Sequence, residues 1–380
     1  MTDVSLNDVI DRIKGNEDRN NTSLLYYVGG EHYVSNSIEL RNGGLISEGV
    51  LGFKFHFPFR SGDVLFMARN PHLQKAARVD FDGICSDASY ILRSKNENIL
   101  LQDFLPLIVQ SDHFWSFFRT NKTGSVNPLL NWSTLSTYKF NMPSLVKQRQ
   151  YADLVWTIQY DINKLEEQLN LLDRVVKSQF IEMFGDVVFN PMCWPTKEIS
   201  KVAPSTNGEN TSDEEHNWLL NLDAIEANTG IVLFKNYVSS EELSGSIISF
   251  SEDHVLYSKL RPYLNKVVMP DESGFGTSEL IPLLPDVSIL NRTYLARALM
   301  SDTFVQKFTS AVAGTKMPRV LMDTFRKFLL PLPPIDLQIQ FADFVKQVDK
   351  SKFHCCNALI TTKHIRQQLT VLALRDGNGR

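Results

Sequence analysis

Residues 143–155 read PSLVKQRQYADLV and residues 333–345 read PPIDLQIQFADFV, 190 positions apart in a chain of 380 residues. Pro143/Pro333, Gln148/Gln338, Gln150/Gln340, Ala152/Ala342, Asp153/Asp343 and Val155/Val345 are identical. The likeness extends well beyond this phrase. VLFMARNPHLQK (from Val64) aligns with VLYSKLRPYLNK (from Val255) at an offset of 191. SDHFWSFF (from Ser111) aligns with SDTFVQKF (from Ser301), and TGSVNPLL (from Thr123) with AGTKMPRV (from Ala313), both at 190. Such a period is far longer than a solenoid unit. The chain therefore has to build one domain plan twice.

Each copy reads in the same order. Short β-rich runs come first, among them SLLYYVGG, VLFMA and ICSDASYILR in the first half and HVLYS and SELIPLLP in the second. A helix is expected near Leu101–Phe118 and again near Leu290–Phe308. A loop punctuated by Gly124 and Pro128, or by Gly314 and Pro318, leads to a short strand ending in MP or LPLPP. A long polar helix closes each half. The fold class is α+β: β-rich modules at 1–142 and 186–332, and helices at 143–185 and 333–380.

The first long helix carries Val155, Ile158, Ile162, Leu165, Leu169, Leu172 and Val176 at alternating spacings of three and four. That is a heptad seam. Gly185 is the expected stop, with Pro191 and Pro195 beyond. The second helix holds the period less cleanly through Val345, Val348, Cys355, Leu359, Leu369 and Leu372, with Lys352 and Thr362 at seam positions. A thin seam has to be buried, and the first helix is the obvious mate, in an intramolecular antiparallel coiled coil.

Composition narrows the chemistry. Hydrophobic content of 43% and charged content of 22% suit a globular protein with real cores. The N-terminus has no basic start followed by an apolar run, and no window approaches a membrane span, so the expected location is the cytoplasm. Cys85 and Cys193 are isolated and Cys355 and Cys356 adjacent, a pattern of free thiols with no disulfide framework and no metal site. There is no G-x-x-x-x-G-K-[ST] loop and no H-E-x-x-H helix, and Gly29-Gly30 is not a dinucleotide fingerprint. No catalytic residues are assigned, and no cofactor is expected on this chain.

The net charge of −4 argues mildly against nucleic acid, but location matters more than the sum. Val64–Val79 holds Arg69, Lys75 and Arg78 with no acid, and Val255–Met269 holds Lys259, Arg261 and Lys266 with none. Cations interleaved with aromatic and amide side chains on loops suit phosphate contact and base-edge reading; a solvated basic face is the alternative. The candidate DNA-binding residues are Arg69, Asn70, His72, Lys75 and Asn127 in the first module, and Lys259, Arg261, Tyr263, Lys266, Lys316 and Arg319 in the second. Between the copies the scaffold residues match while these side chains differ, as in modules that read different things.

With the paired P-x-x-x-x-Q-x-Q-x-A-D phrases, the VLYSKLRPYLNK…GTSELIPLLP segment and AGTKMPRV…FLLPLPPIDLQ, the sequence resembles the specificity subunit of type I restriction–modification systems over essentially its whole length. The resemblance implies two target-recognition domains, each reading half of a bipartite, asymmetric double-stranded DNA target in the major groove. It implies helices that set the spacer and dock two modification (methyltransferase) subunits, which carry S-adenosylmethionine and methylate adenine N6. Restriction subunits would add ATP- and Mg-dependent translocation and cleavage, leaving this chain non-catalytic. The first half departs from the pattern, with Ala68-Arg69-Asn70-Pro71 where the second has Lys259-Leu260-Arg261-Pro262. A tandem DNA-binding regulator without methylase partners and a coiled-coil scaffold are the two other classes the features allow.

Overall fold

The computed structural model describes residues 3–121, 128–209, 214, 216–243, 245–310, 312–313 and 317–375. Gly124, Asn127, Gly314 and Lys316, all singled out above, lie outside the described residues. The chain forms two compact units: Met1–Glu167 with Cys356–Arg380, and Gln168–Cys355. Each therefore holds one β-rich module and part of both long helices, a division that cuts across the four segments drawn from the sequence.

In the first unit, Val64–Met67 is the key strand, and all four of its residues are buried. Alternation sends Val64 and Phe66 to one core and Leu65 and Met67 to another. It lies in a five-stranded sheet ordered Ile10–Ile13, Ser89–Ser94, Val64–Met67, Ala76–Val79 and Glu39–Leu40. One face packs on the four-stranded sheet Gly44–Leu45, Tyr26–Val28, Gly83–Ser86 and Phe55–Phe59. The other packs on helices and on Val155 and Ala373 of the two long helices. A strand covered on both sides reads as a continuous apolar run, which is why VLFMA shows no polar alternation.

The second unit repeats this with Val255–Ser258 between Val267–Val268 and Leu280–Leu283. Leu256 enters the core shared with Trp218, Leu220 and Phe250. Val255 and Tyr257 enter the core reached by Val176, Phe180 and Phe184 from one long helix and by Phe341, Val345 and Val348 from the other. The expected single helix in each module is two: Leu105–Val109 and Asp112–Asn121, then Arg292–Leu299 and Asp302–Ser310. Ser111 makes the break, its hydroxyl donating to the Ile108 carbonyl and accepting from the Phe114 N–H.

The long helices run Leu145–Phe184 and Ile335–Arg375, and Gly185 ends the first at φ +72°. Within each unit their partners run in opposite directions: Gln159 with Arg366 and Glu166 with Lys363 in the first, Asp173 with Lys352 and Phe180 with Phe341 in the second. Val155, Ile162, Val176, Val345 and Val348 are buried, and Ile158, Leu165, Leu169, Leu172, Leu359 and Leu369 half-buried, as a seam requires. Leu372 is the exception at 45% exposed. Continuing the three-four spacing through Thr362, Arg366 and Leu369 reaches Ala373, which is fully buried. Lys352 fits the seam by pairing with Asp173.

The repeated phrase has a buried centre. The Gln148 side chain is fully buried; its Oε1 accepts from the Leu101 N–H (2.9 Å) and its Nε2 donates to the carbonyls of Ile99 and Pro143 (2.9 Å each). Gln338, equally buried, makes the same set with the Asn291 N–H (2.8 Å) and the carbonyls of Ile289 (3.1 Å) and Pro333 (2.8 Å). Gln148→Ala strands three backbone groups and is expected to destabilise the first unit by about 3 kcal/mol in urea unfolding. Gln148→Glu should cost a similar amount, because a carboxylate cannot donate to the two carbonyls.

At the position before the key strand the copies solve burial differently. Asp63, 2% exposed, takes both Nε and Nη2 of Arg93 (2.7 and 2.8 Å). His254, also 2% exposed, accepts the Ser251 N–H at Nδ1 and bonds the Thr206 carbonyl through Nε2, both at 3.0 Å. Burial holds its pKa below the ordinary value. The neutral ring is favoured in the fold, so its stabilisation is full above about pH 6.5, the unfolded value, and is lost as pH falls toward the folded value. Thermal melts should show a steeper loss for the native chain than for His254→Gln between pH 7.5 and 5.

Candidate nucleic-acid interface

The loop after each key strand has one backbone design. In the first unit the Asn70 N–H donates to the Pro128 carbonyl (3.0 Å) and the Leu73 N–H to the Asn70 carbonyl (3.0 Å). In the second the Arg261 N–H donates to the Pro318 carbonyl (2.8 Å) and the Leu264 N–H to the Arg261 carbonyl (2.9 Å). Asn70 and Arg261 both sit in the left-handed region, at φ 55° and 51°, and so do Gln74 and Asn265, at 46° and 47°. A 3₁₀ turn lies between them, Pro71–Leu73 in one unit and Pro262–Leu264 in the other. Asparagine tolerates this conformation; for arginine it costs about 1–2 kcal/mol.

Two of the candidate cations belong to this scaffold. Lys75 Nζ donates to the Gly30 carbonyl (2.7 Å) and Lys266 Nζ to the Leu222 carbonyl (2.6 Å), closing each loop against a neighbouring turn. Each ammonium keeps two further N–H donors. The other described candidates differ in exposure. Arg69, His72, Arg261 and Tyr263 are exposed, and Asn70 and Lys259 half-buried; Tyr263, at 48%, is no core residue.

The late loop meets this turn through one isolated bridge in each unit, Arg69 with Leu129 and Leu260 with Arg319. The two are equivalent, so each unit places one arginine on the bridge, from opposite sides. Arg319 forks onto Glu279, its Nη2 2.7 Å from Oε1 and its Nε 3.2 Å from Oε2. Glu279 was missed in the sequence; its signal was the alignment that puts Ala88 opposite it. Backbone bonds confirm the match: the Ala68 N–H donates to the Ala88 carbonyl (2.9 Å) and the Lys259 N–H to the Glu279 carbonyl (3.0 Å).

Other chemistry is not assembled among the described residues: no group of three or more His, Cys, Asp or Glu could hold a metal, and no helix is long and apolar enough to cross a membrane. The cysteines are free, and burial pushes the Cys85 thiol up to about 12.

Two β-rich modules with one loop scaffold and divergent tips define a tandem recognition protein. The family model for the type I restriction modification DNA specificity domain matches residues 1–172 and again 182–362, and the chain belongs to that family. It is 24% identical over 155 residues to the type I restriction enzyme EcoDI specificity subunit of Escherichia coli, 40% of this chain and 34% of that one. The match thus spans about a third of that relative's length. It is 20% identical over 304 residues to the MjaVIII specificity subunit of Methanocaldococcus jannaschii, covering 70% and 68% of the two chains. The fold is shared with the type I restriction–modification S subunit of M. genitalium (TM-score 0.54, 12% identity, 98% and 96% coverage). It is also shared with a chain from a structure describing complex assembly and conformational transition of the type I R-M system (TM-score 0.52, 17% identity, 99% and 97%).

Arg261→Gly removes a left-handed strain and should melt no lower than the native chain, gaining up to about 1 kcal/mol. Asn70→Gly should be nearly neutral in the same thermal denaturation.

Proposed function

We propose that this chain is the DNA specificity subunit of a type I restriction–modification complex, each module reading one half of a bipartite, asymmetric duplex target. The observation that carries this reading is the pair of loops matched in their backbone hydrogen bonds and unlike in their side chains: Arg69, Asn70 and His72 against Leu260, Arg261 and Tyr263. A constant scaffold with divergent tips suits two readers of two sequences. The long helices set the spacer between half-sites and receive two methyltransferase subunits. Both copies of the repeated phrase expose the same residues, Gln150 with Asp153 and Gln340 with Asp343, which suits two identical partners docking on two equivalent places.

The partners supply the chemistry, with S-adenosylmethionine on the methyltransferase subunits and ATP with Mg on restriction subunits, while this chain contributes binding and register in the cytoplasm. Asn127 and Lys316 remain proposed DNA contacts beside the tip residues.

Co-expression with the cognate methyltransferase subunit should yield a stable complex that methylates adenine at a bipartite, asymmetric motif in host DNA, read by methylation-sensitive sequencing. Arg261→Ala should weaken target binding by about 1–3 kcal/mol and relax one position of the second half-site. Isolation of the chain as a free monomer that binds a duplex site without any methyltransferase would overturn the proposal in favour of a regulator.

A further inference from the structure

The arginine bridge is equivalent in the two units, but its electrostatics are not. Arg319 has its Nε and one Nη2 hydrogen satisfied by Glu279, and the other Nη2 hydrogen with one on Nη1 forms a second fork on the adjacent end edge. The Arg319 side chain is half exposed, at 52%, and that of Glu279 only 22%. The acid is fixed at its base, because its carbonyl holds the Lys259 N–H and Leu280 continues into a strand. Arg69 has no ion-pair partner and no side-chain hydrogen bond among the described residues, and Ala88 occupies the place of Glu279.

Resting on the function proposed above, we infer that Arg319 reads a base edge with Glu279 as its positioning residue, whereas Arg69 contacts a phosphate. A phosphate contact draws on net positive charge, and each cation that neutralises a phosphate adds about 0.9 to the slope of log affinity against log salt. The Arg319–Glu279 pair is neutral and adds nothing to that slope. A planar fork held in place by a carboxylate has lost its rotamer freedom before binding and presents two parallel donors, the geometry that chelates O6 and N7 of guanine. Arg69 has no counter-charge among the described residues, which suits a phosphate and carries no sequence information.

The test uses the full chain in complex with its methyltransferase subunits. Duplexes selected from a random pool give the base preference at each position, and titrations between 50 and 200 mM salt give the slope. Arg69→Ala should reduce the slope by about 0.9 and weaken all sequences alike. Arg319→Ala should leave the slope unchanged, lower target affinity about 10- to 100-fold and flatten the preference at one base pair. Glu279→Gln should leave the slope unchanged, because Arg319 meets a base and not a phosphate, and blur that same base pair.

An Arg319→Ala complex with a shallower slope and intact preference would make Arg319 a phosphate contact and overturn the inference. So would a Glu279→Gln complex that keeps the native base preference, which is the behaviour of an idle surface ion pair. If the native complex shows no salt-dependent duplex binding at all, the function beneath the inference fails, and the inference with it. Melting temperatures of the three variants separate these results from misfolding.

Discussion

The structure depends on two buried amides. Gln148 and Gln338 each stand at the first turn of a long helix, where backbone groups otherwise lack partners, and each binds a proline carbonyl behind it and a module loop beside it. One side chain with a donor end and an acceptor end thereby fixes both the position and the rotation of a helix relative to a β-rich module. A glutamate or a lysine offers only half of that pattern. This is the physical content of the repeated phrase: Pro143, Gln148, Ala152 and Val155 are buried in the joint, while Gln150 and Asp153 face solvent.

Much of this architecture was legible in the sequence because it rests on periodicity. The duplication, the strands and the heptad seam are patterns of spacing, and spacing survives without knowledge of contacts. The failures were of another kind. Leu372 looked like a seam residue because it is apolar, but the true register passes through polar Thr362 and Arg366 to Ala373. The break at Ser111 turned on a hydroxyl bridging two helices, a local bond that no apolar pattern encodes.

For the candidate site the limit was sharper. Lys75 and Lys266 read as DNA contacts because they are cations near arginines; each also donates to a carbonyl more than forty residues away in sequence. Only the fold reveals that destination. Tyr263, an aromatic candidate, is exposed. Glu279 was invisible as a member of the site because charge counting treats an acid as a subtraction, whereas here it orients the arginine it faces.

The division of the chain also has a consequence for how it is made. The first unit draws its core from Leu6 through Val155 and then from Leu369 and Ala373, almost at the other end. A ribosome working from the N-terminus releases the first module long before its closing helix exists. Until Leu369 and Ala373 emerge, the apolar face around Val155 stays uncovered, and the nascent protein waits with an open flank that chaperones or misfolding can occupy. The second unit, Gln168–Cys355, is contiguous and is made in full before Leu369 and Ala373. In vivo the module written first is therefore the one completed last.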